Sequence, residues 1–157
     1  MLSLLFRNLF FTILQPGIVA GLIPYWLVRD SIHDAFEKPL RSWLFLSILI
    51  FIIGFYLMMD CILRFAIKGR GTLSPADPTK KLVISGWYRY SRNPMYVGVL
   101  LILLGEAIFF NVESLWSYTI FIVIIFTIFI VFVEEPRLRR DFGEEYTEYC
   151  KKVRRWI

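Results

Sequence analysis

Residues 86–98 read Gly86-Trp87-Tyr88-Arg89-Tyr90-Ser91-Arg92-Asn93-Pro94-Met95-Tyr96-Val97-Gly98 and stand between a polar, basic connection and a long apolar segment. Asn93-Pro94 has the form of a helix start, with Asn as N-cap and Pro at the first helical position, where a missing N–H costs nothing. The backbone N–H groups that follow favour an anion, and Arg89 and Arg92 stand just before them. Further on come an adjacent acid pair, Glu134-Glu135, and a tail carrying Phe142-Gly143-Glu144-Glu145-Tyr146 and Tyr149. Each part has a plain alternative. Trp, Tyr and Arg are what a membrane-interface belt contains, the acid pair suits a solvated helix end facing Arg137 and Arg139, and the tail tyrosines suit membrane anchoring.

Other titratable groups stand in apolar surroundings. Asp60 and Arg64 are spaced i, i+4, so they share a helix face and form an ion pair; Asp60 is also a candidate base, because ionisable groups in membrane segments are functional candidates by default. Glu106 lies within an apolar run and is either a pocket acid or a group satisfied by Asn or Ser from other helices. A single His33 and two cysteines in different segments, Cys61 and Cys150, offer no metal cluster and no disulfide framework. An anion-binding helix mouth, a carboxylate pair and aromatic walls together suit a zwitterionic ligand with an aromatic base, and S-adenosylmethionine fits that description.

The elements that must position these groups are read from charge spacing. Residues 8–28 form a run of 21 without a charge, about the ~20 needed to cross a bilayer. Pro16, Gly17, Gly21 and Pro24 inside it predict a kink. A second uncharged run covers 43–59, its apolar pattern continuing through Asp60 and Arg64. The polar stretch 68–93 contains Gly69, Gly71, Pro75 and Pro78 and reads as loop and turns. Residues 94–110 form a third crossing and 114–133 a fourth of 20 uncharged residues. The connection Asn111-Val112-Glu113 is so short that these two must be antiparallel neighbours, which brings Asn93–Tyr96 beside Glu134-Glu135. After Pro136, Leu138, Phe142, Tyr146, Tyr149, Val153 and Trp156 recur at spacings of 4, 4, 3, 4 and 3. That is one face of an amphipathic helix able to lie in the membrane interface.

The expectation is an all-α membrane protein: about four transmembrane helices and a cytoplasmic amphipathic C-terminal helix in one domain, residues 1–157. An apolar share of 57% exceeds the ~45–50% of soluble domains. The net charge of +5 comes from basic residues flanking apolar runs, which argues against nucleic-acid binding. Seven Lys and Arg fall between Arg64 and Arg92, seven after Glu135, three between the first two crossings and none between the last two. Both termini are therefore expected in the cytoplasm, with Tyr25, Trp26, Trp116 and Tyr118 in the outer aromatic belt and His33 away from the helix mouth. The first apolar run is too long for a signal peptide and lacks a small-residue cleavage site.

Lys81-Leu82-Val83, Gly86-x-Tyr88, Arg92-Asn93-Pro94-Met95-Tyr96-x-Gly98, Gly105, Glu134-Glu135 and Phe142-Gly143-Glu144-Glu145-Tyr146-x-x-Tyr149 together resemble the integral-membrane isoprenylcysteine carboxyl methyltransferase family, which is related to phospholipid N-methyltransferases. The resemblance covers about residues 68–157, and upstream only the hydrophobic pattern matches. It implies S-adenosylmethionine-dependent methyl transfer to a lipophilic acceptor. It also implies a cofactor held by Lys80, Lys81, Leu82, Val83, Tyr88, Arg92, Asn93, Pro94, Met95, Tyr96, Glu134 and Glu135, and no metal. Two positions depart from the family's pattern. Asn93 stands where that family usually has His, so no imidazole base operates there. Ile130 stands where its eukaryotic members have a substrate-binding Arg. The acceptor is thus open between an isoprenylcysteine-like carboxylate and a phospholipid-like amine, and for an amine, which must lose a proton, Glu106 and Asp60 are the candidate catalytic bases. Lateral entry of a lipid is expected along Val97, Leu100 and Leu101 on one helix and Ile128, Ile130 and Val131 on the other. Two rivals are a non-enzymatic membrane protein, such as an assembly factor or transporter, and a nicotinamide-dependent reductase, against which the missing Gly-x-Gly-x-x-Gly turn counts.

Overall fold

A computed structural model describes residues 16–33, 42–64 and 82–156, and every named element among them is helical. The first apolar run, in which Pro and Gly predict a kink, departs from a regular α-helix: a π-helical turn, Ile18–Leu22, leads into α1 (Ile23–Val28) and a 3-10 turn, Arg29–Ser31. The long helix α2 (Ser42–Arg64) follows, then a 3-10 turn at Gly86–Arg89, α3 (Pro94–Phe110) and α4 (Glu113–Phe129). A second π-helical turn, Ile130–Glu134, carries α4 without interruption into α5 (Glu135–Lys152). Two helical stretches, Ser42–Arg64 and Glu113–Lys152, are long and apolar enough to cross a membrane; Pro94–Phe110 is a shorter apolar helix of 17 residues.

Small residues let α2 and α3 approach closely. A β-carbon on Gly54 would stand 2.7 Å from the Gly98 carbonyl oxygen and 2.7 Å from the Ile102 nitrogen, and one on Gly98 would meet the Met58 nitrogen at 2.8 Å. Gly105 repeats the arrangement one heptad on, against Ser47 and Phe51. In hydrocarbon, where lipid tails are as apolar as leucine, such backbone proximity is what holds helices together. Val99, Ile102 and Leu103 of α3, Met58 of α2 and Ile122 of α4 form the core around this seam. The opposite face of α2, with Phe45, Leu49, Ile52 and Tyr56, is exposed, as befits a surface bathed in lipid.

The tight connection behaves as the sequence requires. Asn111 takes a left-handed conformation (φ 51°) and its N–H bonds the Ala107 carbonyl at 3.0 Å, closing α3; Asn tolerates this conformation better than most residues. The chain reverses and α4 returns beside α3. Two residues expected in an outer aromatic belt bond to protein atoms: the Tyr118 hydroxyl donates to the Val19 carbonyl (2.9 Å) and the Trp116 indole to Asn111 (3.4 Å).

The tail departs from a uniform interfacial helix in two ways. Gly143 interrupts α5 with φ 53° and ψ −121°, a region essentially reserved for glycine. The expected apolar face does form, with Leu138, Phe142, Tyr146, Tyr149 and Val153 in one cluster, but Leu82 is packed against it and Tyr146 and Tyr149 are buried. Their partners are the residues around the start of α3.

Candidate functional site

Gly86 opens the site with φ 67°, and a β-carbon there would collide with the Arg64 guanidinium. Arg64 is in turn held by Asp60 through the predicted i, i+4 pair. The pair's visible task is therefore to lay Arg64 over the Gly86 turn. That turn drops Tyr88 into a buried cluster with Cys61 and Val83, with Met95 packed beside it. The Tyr88 carbonyl accepts a 2.6 Å hydrogen bond from the Tyr149 hydroxyl, tying the tail to the turn.

At the start of α3, Pro94 occupies the expected first position, but Asn93 does not cap the helix with its side chain. Its Nδ2 donates instead to the Arg155 carbonyl (2.9 Å), while its backbone N–H donates to the Ser91 hydroxyl (3.1 Å). Tertiary bonding outcompetes the local cap because the tail folds back over this corner: the Arg92 N–H also donates to the Arg154 carbonyl at 2.9 Å.

The geometric expectation from the tight connection is met at Tyr96, whose hydroxyl donates to Glu134 Oε2 at 2.6 Å and whose ring meets Phe126 edge-on at 4.8 Å. Glu134 is close enough for its charge to act on Tyr88 as well, so Tyr88, Tyr96 and Glu134 share one neighbourhood. Glu135 turns elsewhere. It is buried between Arg92 (3.1 Å) and Arg155, whose Nε and Nη2 grip its two oxygens at 2.8 and 3.1 Å. Burial pushes the Glu135 carboxyl up, but the Arg155 hydrogen bond and the charges of Arg92, Arg155 and Arg139 outweigh it and hold it below the ordinary value. Burial, followed by the charges of Cys61, Glu134 and Tyr149, pushes the Tyr88 phenol well above its ordinary value, so it stays protonated.

Beside Tyr96 lies a cavity of about 220 Å³ walled by Pro16, Val19, Met95, Val99, Ile125, Phe126 and Phe129. Its walls are apolar, as expected, but they are a neighbouring face of the two helices: Val99 replaces the Val97, Leu100 and Leu101 set, and Ile125, Phe126 and Phe129 replace the Ile128, Ile130 and Val131 set. Ile130 is wholly buried.

The remaining candidates fall as follows. Lys80 and Lys81 lie outside the described residues. Leu82 is packed against the tail cluster and Val83 against Cys61 and Tyr88. Arg92 reaches Cys150 Sγ (2.9 Å) as well as Glu135. Glu106 is ten residues beyond Tyr96, about 15 Å along α3 at ~1.5 Å per residue, and its Oε2 is buried with no partner among the described residues. Two further buried atoms share that condition, Arg92 Nε and Arg137 Nε. Arg137 stands close enough for its charge to act on both Tyr96 and Glu134. A carboxylate that can accept from an ammonium and a guanidinium N–H that can donate to a carboxylate stand near one another, so these residues fit a ligand carrying both charges. Among the described residues there is no group of three His, Cys, Asp or Glu that could hold a metal.

Sequence reasoning missed Arg155 and Tyr149's bond to the Tyr88 carbonyl. Both link positions about 20 to 60 residues apart, and no periodicity reports such a contact. The unpaired basic residues at the end of the tail were the available signal.

Two helical stretches long and apolar enough to cross a membrane are thus joined through a polar corner beside an apolar cavity. The chain belongs to the phospholipid methyltransferase family, whose profile matches residues 42–145. This agrees with the resemblance, since the two families are related. Among its relatives are an uncharacterized protein of Haemophilus influenzae, 36% identical over 63 residues (40% of this chain and 100% of that protein). Another is the delta(14)-sterol reductase of Mus musculus, 30% identical over an alignment 119 positions long that covers 65% of this chain and 27% of the reductase. The chain thus spans about a quarter of the reductase's length. No solved structure matches the chain significantly.

Proposed function

We propose that this protein is an S-adenosylmethionine-dependent methyltransferase acting on a lipophilic acceptor resident in the membrane. The observation that carries the reading is the Tyr96–Glu134 pair at the wall of an apolar cavity; family membership supports it. When bound, S-adenosylmethionine supplies an electrophilic methyl group on a sulfonium. Glu134 and Arg137 would hold its ammonium and carboxylate, with Tyr88 and Met95 alongside. Tyr96 fixes the Glu134 carboxylate, and Val99, Ile125, Phe126 and Phe129 exclude water and receive the acceptor's hydrocarbon. Holding two reactants in line is the main contribution such a site makes. Neither candidate base lines the cavity: Asp60 is engaged by Arg64 and Glu106 is about 15 Å along α3 from Tyr96. The acceptor head then arrives already nucleophilic, as a carboxylate, a thiolate or a neutral amine.

The arrangement we favour has four crossings, with both termini and the site on the cytoplasmic side. The Lys and Arg distribution supports it. The test is methyl transfer from labelled S-adenosylmethionine by the purified protein to matched long-chain and short-chain acceptors. Preference for the long chain is expected; equal turnover of the fully soluble analogue contradicts lateral entry. A second reading, a nicotinamide-dependent reductase, is favoured by the match to the sterol reductase. Binding of NADPH in place of S-adenosylmethionine by the same preparation decides for it.

A further inference from the structure

Tyr96 and Glu134 come from different helices, and nothing in either helix alone fixes their separation. Tyr96 lies one turn into α3, three residues after Asn93; Glu134 immediately precedes α5 and Glu135. One residue touches both flanking positions. The Arg155 carbonyl accepts from Asn93 Nδ2 at 2.9 Å and from the Ser91 hydroxyl at 3.4 Å. Its guanidinium donates to both oxygens of Glu135 at 2.8 and 3.1 Å. The preceding Arg154 carbonyl takes the Arg92 N–H at 2.9 Å, and Ser91 and Arg154 form an isolated bridge of parallel strand type. Arg92 completes the ring by reaching Glu135 at 3.1 Å. The bonds are directional: a planar fork on a carboxylate fixes angle as well as distance, and the Asn93 amide fixes the main chain on the other side.

We infer that Arg155 is a positioning residue that sets the register of Tyr96 against Glu134, acting through Asn93, just before α3, and through Glu135, at the start of α5. Its consequence for the cofactor rests on the methyltransferase reading; its consequence for the helix start does not. Side-chain charge alone does not suffice, because lysine keeps the charge but cannot present the fork. The end of the tail, far from the apolar cavity in sequence, is thereby part of the site's geometry.

The experiment compares wild type, Arg155→Gln, Arg155→Lys, Tyr96→Phe and the double variant Tyr96→Phe/Arg155→Gln in detergent. S-adenosylhomocysteine binding is measured by calorimetry, and amide hydrogen exchange is followed at Arg92 and Val97, whose N–H groups bond the Arg154 and Asn93 carbonyls. Arg155→Gln is expected to weaken S-adenosylhomocysteine binding about tenfold, the scale of one charge-assisted hydrogen bond. Arg155→Lys is expected to recover less than half of that loss on a logarithmic scale. The double variant should bind no more weakly than Tyr96→Phe alone, because residues acting through one contact are not additive. Exchange at Arg92 and Val97 should quicken in Arg155→Gln. A lowered melting temperature with unchanged affinity, full recovery by lysine, or additive losses in the double variant would each overturn the inference. Absence of binding by wild type overturns the methyltransferase reading instead, and the exchange arm still decides the clasp: equal exchange in wild type and Arg155→Gln refutes it.

Discussion

Glu134 accepts a hydrogen bond from Tyr96 at an apolar wall, whereas Glu135 is gripped by Arg92 and Arg155. Two adjacent carboxylates therefore answer differently to removal. Glu134→Ala is expected to weaken S-adenosylhomocysteine binding by tenfold or more, the loss of a charge-assisted bond of ~1.5–3 kcal/mol, with little change in melting temperature. Glu135→Ala leaves Arg92 buried without its acid; breaking such a pair costs ~3–5 kcal/mol, and the low end applies because the Arg155 side chain is 38% exposed. Thermal melting separates the two. Acid gives a further check. The Glu135 carboxyl is held below its ordinary value of 4.5, so in that window the unfolded chain binds more protons than the folded one. Its stabilisation is complete above the ordinary value and is lost as pH falls through the lowered one. The acid limb of melting temperature against pH should be flatter in Glu135→Gln than in wild type. The sequence disclosed the pair as a pair, because a short connection returned Glu134 to Tyr96. It did not disclose the division of labour, because Arg155 comes from 20 residues further along and reports itself through no local pattern.

At the scale of elements, α2 and α3 depend on glycines at Gly54, Gly98 and Gly105, where a β-carbon would meet main-chain atoms at 2.7 to 2.9 Å. Gly54→Ala must push the helices apart, because backbone cannot rotate away as a side chain can. Overpacking of this kind costs ~1–3 kcal/mol, read as a lowered melting temperature. Gly21→Ala, with open space around it, serves as the control. α3 and its connection to α4 were legible in the sequence because Pro94, a long apolar run and Asn111 mark their ends directly. The seam of glycines was not, since small residues in an apolar run carry no partner's address. The tail's apolar face was legible from its spacing, but its cover was not: residues that sequence pattern assigns to a membrane interface are here buried by Leu82 and the start of α3. Asn93 likewise reads as a cap, and becomes a cross-link once the tail supplies a better acceptor.

For the whole molecule, the proposal of cytoplasmic termini makes an accessibility prediction. Single cysteines at Asp34 and Glu113 should react with an impermeant reagent from outside intact cells, and one at Ser74 should not; labelling at Ser74 reverses the orientation. By the methyltransferase reading, the corner joining α3 to α5 binds S-adenosylmethionine. Titration of the purified wild-type protein with S-adenosylhomocysteine, in parallel with NADPH, tests it most directly. Saturable binding of S-adenosylhomocysteine at one site per chain, weakened at least tenfold by Glu134→Ala, is expected, with no binding of NADPH. No heat with S-adenosylhomocysteine, equal affinity in wild type and Glu134→Ala, or saturable binding of NADPH alone would contradict it.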